Sequence, residues 1–91
     1  MTTITVSGAG GNYVVDVVEG SSASRHTVSV PPGLASVLGW EGREEDLVRA
    51  SFSFLLEREP AAAILRRFGL DVIERYFPEY RAEIARRAAP G

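Results

Sequence analysis

Cysteine and lysine are both missing from this chain, and histidine and tryptophan occur once each. Without cysteine there is no disulfide framework of the kind small secreted domains use to offset a thin core. There is also no thiolate nucleophile and no cysteine-based zinc or iron–sulfur site. No apolar run approaches the roughly 20 residues needed to span a bilayer. The opening residues, Met1-Thr2-Thr3-Ile4-Thr5, carry neither the basic nor the apolar region of a signal peptide. These absences lead to the expectation of a cytoplasmic protein with no membrane contact and no cofactor. All ten cations are arginines, set against twelve acidic residues for a net charge of −2. A mildly acidic chain is a poor electrostatic match for nucleic acid.

What is present is ordinary globular material: 91 residues, 45% hydrophobic and 24% charged. That is one domain's worth of chain. Its apolar content is too high and its charge too low for disorder. The charge is unevenly placed. Residues 1–42 hold Asp16, Glu19 and Glu41 against Arg25, while residues 43–91 hold nine acidic residues and nine arginines. Exposed helix faces hold most of a small protein's charge, so this contrast predicts strands first and helices after. The expected boundaries are a β-meander over 1–30, a helical part over 31–88 and a frayed tail at 89–91.

Thr3–Ser7 alternates, with Ile4 and Val6 on one face and Thr3, Thr5 and Ser7 on the other, the pattern of a half-buried strand. Gly8-Ala9-Gly10-Gly11-Asn12 is a turn. Tyr13–Val18 reads as a central strand with β-branched residues on both faces and only Asp16 breaking the pattern. After a second turn, Arg25–Val30 places His26, Val28 and Val30 opposite Arg25, Thr27 and Ser29. The three strands form an antiparallel meander. Pro31-Pro32-Gly33 ends it.

Leu34, Val37 and Leu38 have helical spacing, with Gly39 as the stop. Glu44–Arg58 is the strongest helical segment, with Glu44, Glu45 and Asp46 in the first turn where the helix dipole favours anions. Pro60 then starts a helix over Ala61–Phe68, with Ile64, Leu65 and Phe68 inward, and Gly69 stops it. Asp71 can cap the next helix, and Glu79–Arg87 is the last. The predicted fold class is therefore α+β: a three-stranded antiparallel β-meander packed on a C-terminal layer of four to five short helices.

Leu55-Leu56-Glu57-Arg58-Glu59-Pro60, Ile64-Leu65-Arg66-Arg67-Phe68 and Val72-Ile73-Glu74-Arg75-Tyr76-Phe77-Pro78-Glu79-Tyr80 together resemble a set of short, uncharacterised bacterial proteins. The resemblance covers about half the chain. It implies a recurring helical tail and transfers no activity.

Residues 61–77 also have a helix–glycine–helix outline. In a DNA reader the second helix would enter the major groove with its first residues at the bases. Here those residues include Asp71 and Glu74, which would face phosphates. Arg66, Arg67 and Arg75 are a candidate basic patch. Exposed and contiguous, they favour a regulator; paired with glutamates, they favour a protein-binding module.

His26 is a core-edge histidine by position, since a general base needs an oriented partner and a nucleophile within reach. No serine lies on a strained elbow. Gly8–Gly11 leads into a strand, not into the helix N-terminus that a phosphate loop requires. Glu44, Glu45 and Asp46 fan around a helix rather than converge on a metal. No catalytic, metal or cofactor residue is expected.

Two function classes follow. The first is a non-enzymatic protein–protein interaction module, homodimeric or docked on a larger partner, with Val14, Val18, Trp40, Tyr76 and Tyr80 as candidate interface residues. Tyrosine and tryptophan serve as interface anchors, and equally as lids on small cores. The second is an antitoxin-like regulator linked to nucleic acid through the 61–77 hairpin.

Overall fold

A computed structural model of the chain describes residues 1–88; the tail expected at 89–91 lies outside them. Three strands open the fold: β1 (Thr2–Ala9), β2 (Asn12–Glu19) and β3 (Ser22–Ser29). Gly10 and Gly11, both at positive φ, make the two-residue turn between β1 and β2, as the type I′ hairpin turn requires. Gly20 alone has positive φ in the second turn, the signature of type II′. Both hairpins pair without a break, from Thr2↔Glu19 to Ala9↔Asn12 and from Asn12↔Ser29 to Glu19↔Ser22.

Alternation sorts the faces as the sequence predicts. Val6, Tyr13, Val15, Val17, His26, Val28 and Val30 are buried beneath the helices. Thr3, Thr5, Ser7, Ala23, Arg25 and Thr27 look outward. Val14 and Val18 share that outer face, so β2 is covered on one side only, not on both.

The helical part comprises α1 (Leu34–Val37), α2 (Glu44–Leu56), α3 (Ile73–Tyr76) and α4 (Tyr80–Ala88), with two 3-10 turns at Ala61–Ala63 and Leu70–Val72. The helix expected over 61–68 is absent. Ile64 is already extended (φ −77°, ψ 135°). Arg67–Gly69 forms a fourth strand, β4, parallel to β3, paired Thr27↔Arg67, Val28↔Phe68 and Ser29↔Gly69. The sheet is thus mixed and four-stranded, in the order β1-β2-β3-β4. Tertiary demand outweighs the local helix preference of three alanines. The edge of β3 needs an acceptor for the Thr27 N–H, and the Arg66 carbonyl supplies it at 2.7 Å.

One apolar core joins the inner sheet face to α2 and the later helices. Phe52 packs against His26 and Phe68, and Phe54 meets Phe77 and Tyr80 edge-on. Polar contacts bind the C-terminal segment to this core. Ser51 Oγ and Tyr80 Oη lie 2.7 Å apart in the interior, and Trp40 Nε1 donates to the Ile84 carbonyl at 2.9 Å. Arg87 reaches Glu57, just after the end of α2, and Glu83 on its own helix.

Candidate functional site

The switch from helix to strand at residue 64 opens an apolar cleft of about 330 Å³. Its floor comes from Leu55 at the end of α2 and from Phe68 on β4. Its walls come from Ile64 and Leu65 on one side and from Val72, Ile73, Tyr76 and Phe77 on the other. In an extended chain, neighbours point to opposite sides. Ile64 is therefore buried while Leu65, expected inward on a helix, turns out to be 50% exposed. Tyr76 faces it from α3 at 66% exposed. Two large apolar side chains thus stand open at one mouth.

Leu65 is held firmly for an exposed residue. Its carbonyl oxygen accepts a hydrogen bond from Nδ1 of His26 at 2.8 Å, and Nε2 of the same ring lies 2.8 Å from the Ser24 hydroxyl. A carbonyl can only accept, so Nδ1 carries a proton, and Nε2 shares the second hydrogen bond with the Ser24 hydroxyl. The single histidine of the chain, fully used in this way, positions the rim of the cleft. On the sheet side, Glu19 accepts from the Ala61 N–H at 3.1 Å and fixes the start of the same segment.

The lining of the cleft is mostly apolar. Glu59 is its one ionisable side chain apart from the Tyr76 phenol, and no serine, histidine or arginine lines it. Its volume is at the small end of the roughly 300–1,000 Å³ range of ligand sites. Such sites orient small ligands with several placed polar groups, and this one has few.

The other expected site residues scatter. Trp40, at 6% exposed, and Tyr80, at 2%, are core residues and not interface anchors. Their polar tips find partners inside, on Ile84 and Ser51, which lets the rings be buried. Val14 is half-buried and Val18 is 43% exposed on the outer sheet face, where the Asp16–Arg25 ion pair lies between them. Tyr76 alone of the five reaches the cleft.

Arg66, Arg67 and Arg75 are exposed and form no ion pair among the described residues. They are also not one patch. Phe68 points inward to Phe52, so its neighbour Arg67 faces the outer side of the sheet, whereas Arg75 belongs to the helical layer. The helical hairpin expected over 61–77 is absent, because its first helix is replaced by a 3-10 turn and β4.

A second, shallower depression lies between the β1–β2 turn and the start of α2. It is polar and lined in part by Arg43, Glu44, Glu45 and Asp46. The Tyr13 hydroxyl, donating to Glu44 at 2.8 Å, ties its two sides together. Among the described residues no helix is long and apolar enough to cross a membrane. No protein-family model, curated protein or solved structure matches this chain.

Proposed function

We propose that this protein is a non-enzymatic interaction module that docks on another protein by seating a short row of apolar side chains in the cleft between β4 and α3. The observation that carries this reading is the pair Leu65 and Tyr76, large apolar residues left exposed at the mouth of an apolar cleft. A tyrosine with an apolar ring and a wet hydroxyl is a favoured interface anchor. The scarcity of placed polar groups favours a protein segment over a small polar ligand, and the lack of any nucleophile–base pair in the cleft favours binding over chemistry. The regulator reading loses its support with the missing hairpin and the divided arginines.

The test is affinity capture from the source cell with wild type and with Leu65→Glu and Tyr76→Glu. Both side chains are exposed, so the fold should persist, as circular dichroism can verify. A protein retained by wild type and lost with both variants supports the cleft. Equal retention by all three, or no retained protein, contradicts it.

A further inference from the structure

We infer that the free edge of β1 pairs with β1 of a second copy of this chain, antiparallel and about a two-fold axis, to make one continuous sheet. The surface is separate from the cleft. β1 is the outermost strand of the sheet, and all eight of its residues stay in register with β2 without a bulge. It contains no proline and no charged side chain; the first charged side chain in the chain is Asp16, on β2. α2 packs against the inner face of β1, and Thr2, Thr3, Thr5 and Ser7 remain exposed. Natural sheet edges are normally blocked by charge, proline, a bulge or a covering segment. β1 has none of these. The opposite edge is guarded: β4 is three residues long and carries Arg67, and the stretch of β3 beyond it carries Arg25.

The turn fixes which backbone groups are free. In a two-residue hairpin the flanking pair, here Ala9 and Asn12, is hydrogen-bonded, and bonded and non-bonded pairs then alternate. Thr3, Thr5 and Ser7 therefore bond to β2, and the N–H and C=O of Thr2, Ile4 and Val6 point away from the sheet. Placing Thr5 opposite Thr5 of the second copy sets Ile4 against Val6 and Thr3 against Ser7. Apolar residues then meet on the inner face and hydroxyls on the outer one. Close to a two-fold axis each residue meets itself or a near neighbour. Any charge there would face its own image at a cost. An edge with no charge over its whole length meets that condition, which is why the partner is a second copy.

The experiment uses sedimentation equilibrium on the full chain and two double variants, Thr3→Lys with Thr5→Lys and Thr3→Glu with Thr5→Glu. Wild type is expected to be dimeric by high micromolar concentration. Each double variant alone should associate at least about tenfold more weakly. An equal mixture of the two should recover a dimer, which misfolded variants could not do. A wild type that stays monomeric at high micromolar concentration overturns the inference, as does a lysine variant that dimerises like wild type. Neither result alters capture through Leu65 and Tyr76, so the two readings fail separately.

Discussion

The Nδ1 nitrogen of His26 lies 2.8 Å from the carbonyl oxygen of Leu65, joining the buried face of β3 to the rim of the cleft. The ring is also packed 5.2 Å, centroid to centroid, from Phe52 of α2. One side chain thus ties strand, helix and cleft rim together. Its removal should affect all three.

Replacing it tests that linkage. His26→Leu keeps an apolar filler against Phe52 but leaves the Leu65 carbonyl and the Ser24 hydroxyl without their partner. Stability should fall by about 1–2 kcal/mol, the cost of losing two part-buried hydrogen bonds. The Thr27 amide, which depends on the adjoining Arg66 carbonyl, should exchange with deuterium faster. An unchanged urea midpoint with unchanged Thr27 exchange would show that β4 is held by other means.

The Ser51–Tyr80 pair makes a sharper energetic prediction. Both hydroxyls are buried and each is the other's side-chain partner. Ser51→Ala or Tyr80→Phe alone should cost roughly 1–2 kcal/mol, because the surviving hydroxyl is left without that partner. The double variant should cost less than the sum of the two. Additive losses in thermal denaturation would mean that the hydroxyls do not depend on each other.

Phe52→Ala and Leu55→Ala should each destabilise by about 2–5 kcal/mol, as large-to-small core changes do. Phe52 sits between His26 and Phe68, and Leu55 forms the floor of the cleft. The Leu55 variant should also weaken partner capture. A thermal midpoint equal to wild type in either variant would remove that residue from the core.

Acid should loosen the C-terminal helix first. Hydrogen bonds from Arg86 and then Arg87 hold the Glu83 carboxyl down at about 2. A depressed carboxylate stabilises the fold above its unfolded value, near 4.5, and that contribution is lost as pH falls from there towards 2. The thermal midpoint should therefore drop across this window in low salt. Glu83→Gln should flatten the drop. Glu83 is a surface group, so added salt should shrink the effect. A profile identical in Glu83→Gln would assign the acid sensitivity to other carboxylates, Glu74 and Glu79 among them, which Arg81 and Arg58 also help to depress.

The two hairpins were legible in the sequence because their signals are local. Strict alternation from Thr3 to Ser7 and glycines at both turns determine strands, faces and register together. The cleft was not legible. Ala61-Ala62-Ala63 after Pro60, with Ile64, Leu65 and Phe68 at helical spacing, satisfies every local rule for a short helix. What draws residues 64–69 into the sheet is the open edge of β3 and the imidazole of His26, some forty residues away in the chain. A window of neighbouring residues contains neither. Exposed Leu65, and with it the site, depends on that distant choice. Trp40 and Tyr80 mislead for a related reason: aromatic rings with polar tips suit an interface or a core equally well. Only the positions of Ile84 and Ser51 decide between them.

The claim that the cleft binds a protein partner is tested most directly by placing a photo-crosslinking residue at Tyr76 and, as a control, at Arg86 on the exposed side of α4, and irradiating the source cell. A discrete adduct is expected from position 76 that disappears when Leu65→Glu is added, and none from position 86. The absence of any adduct at 76, or an adduct there that survives Leu65→Glu, would contradict it.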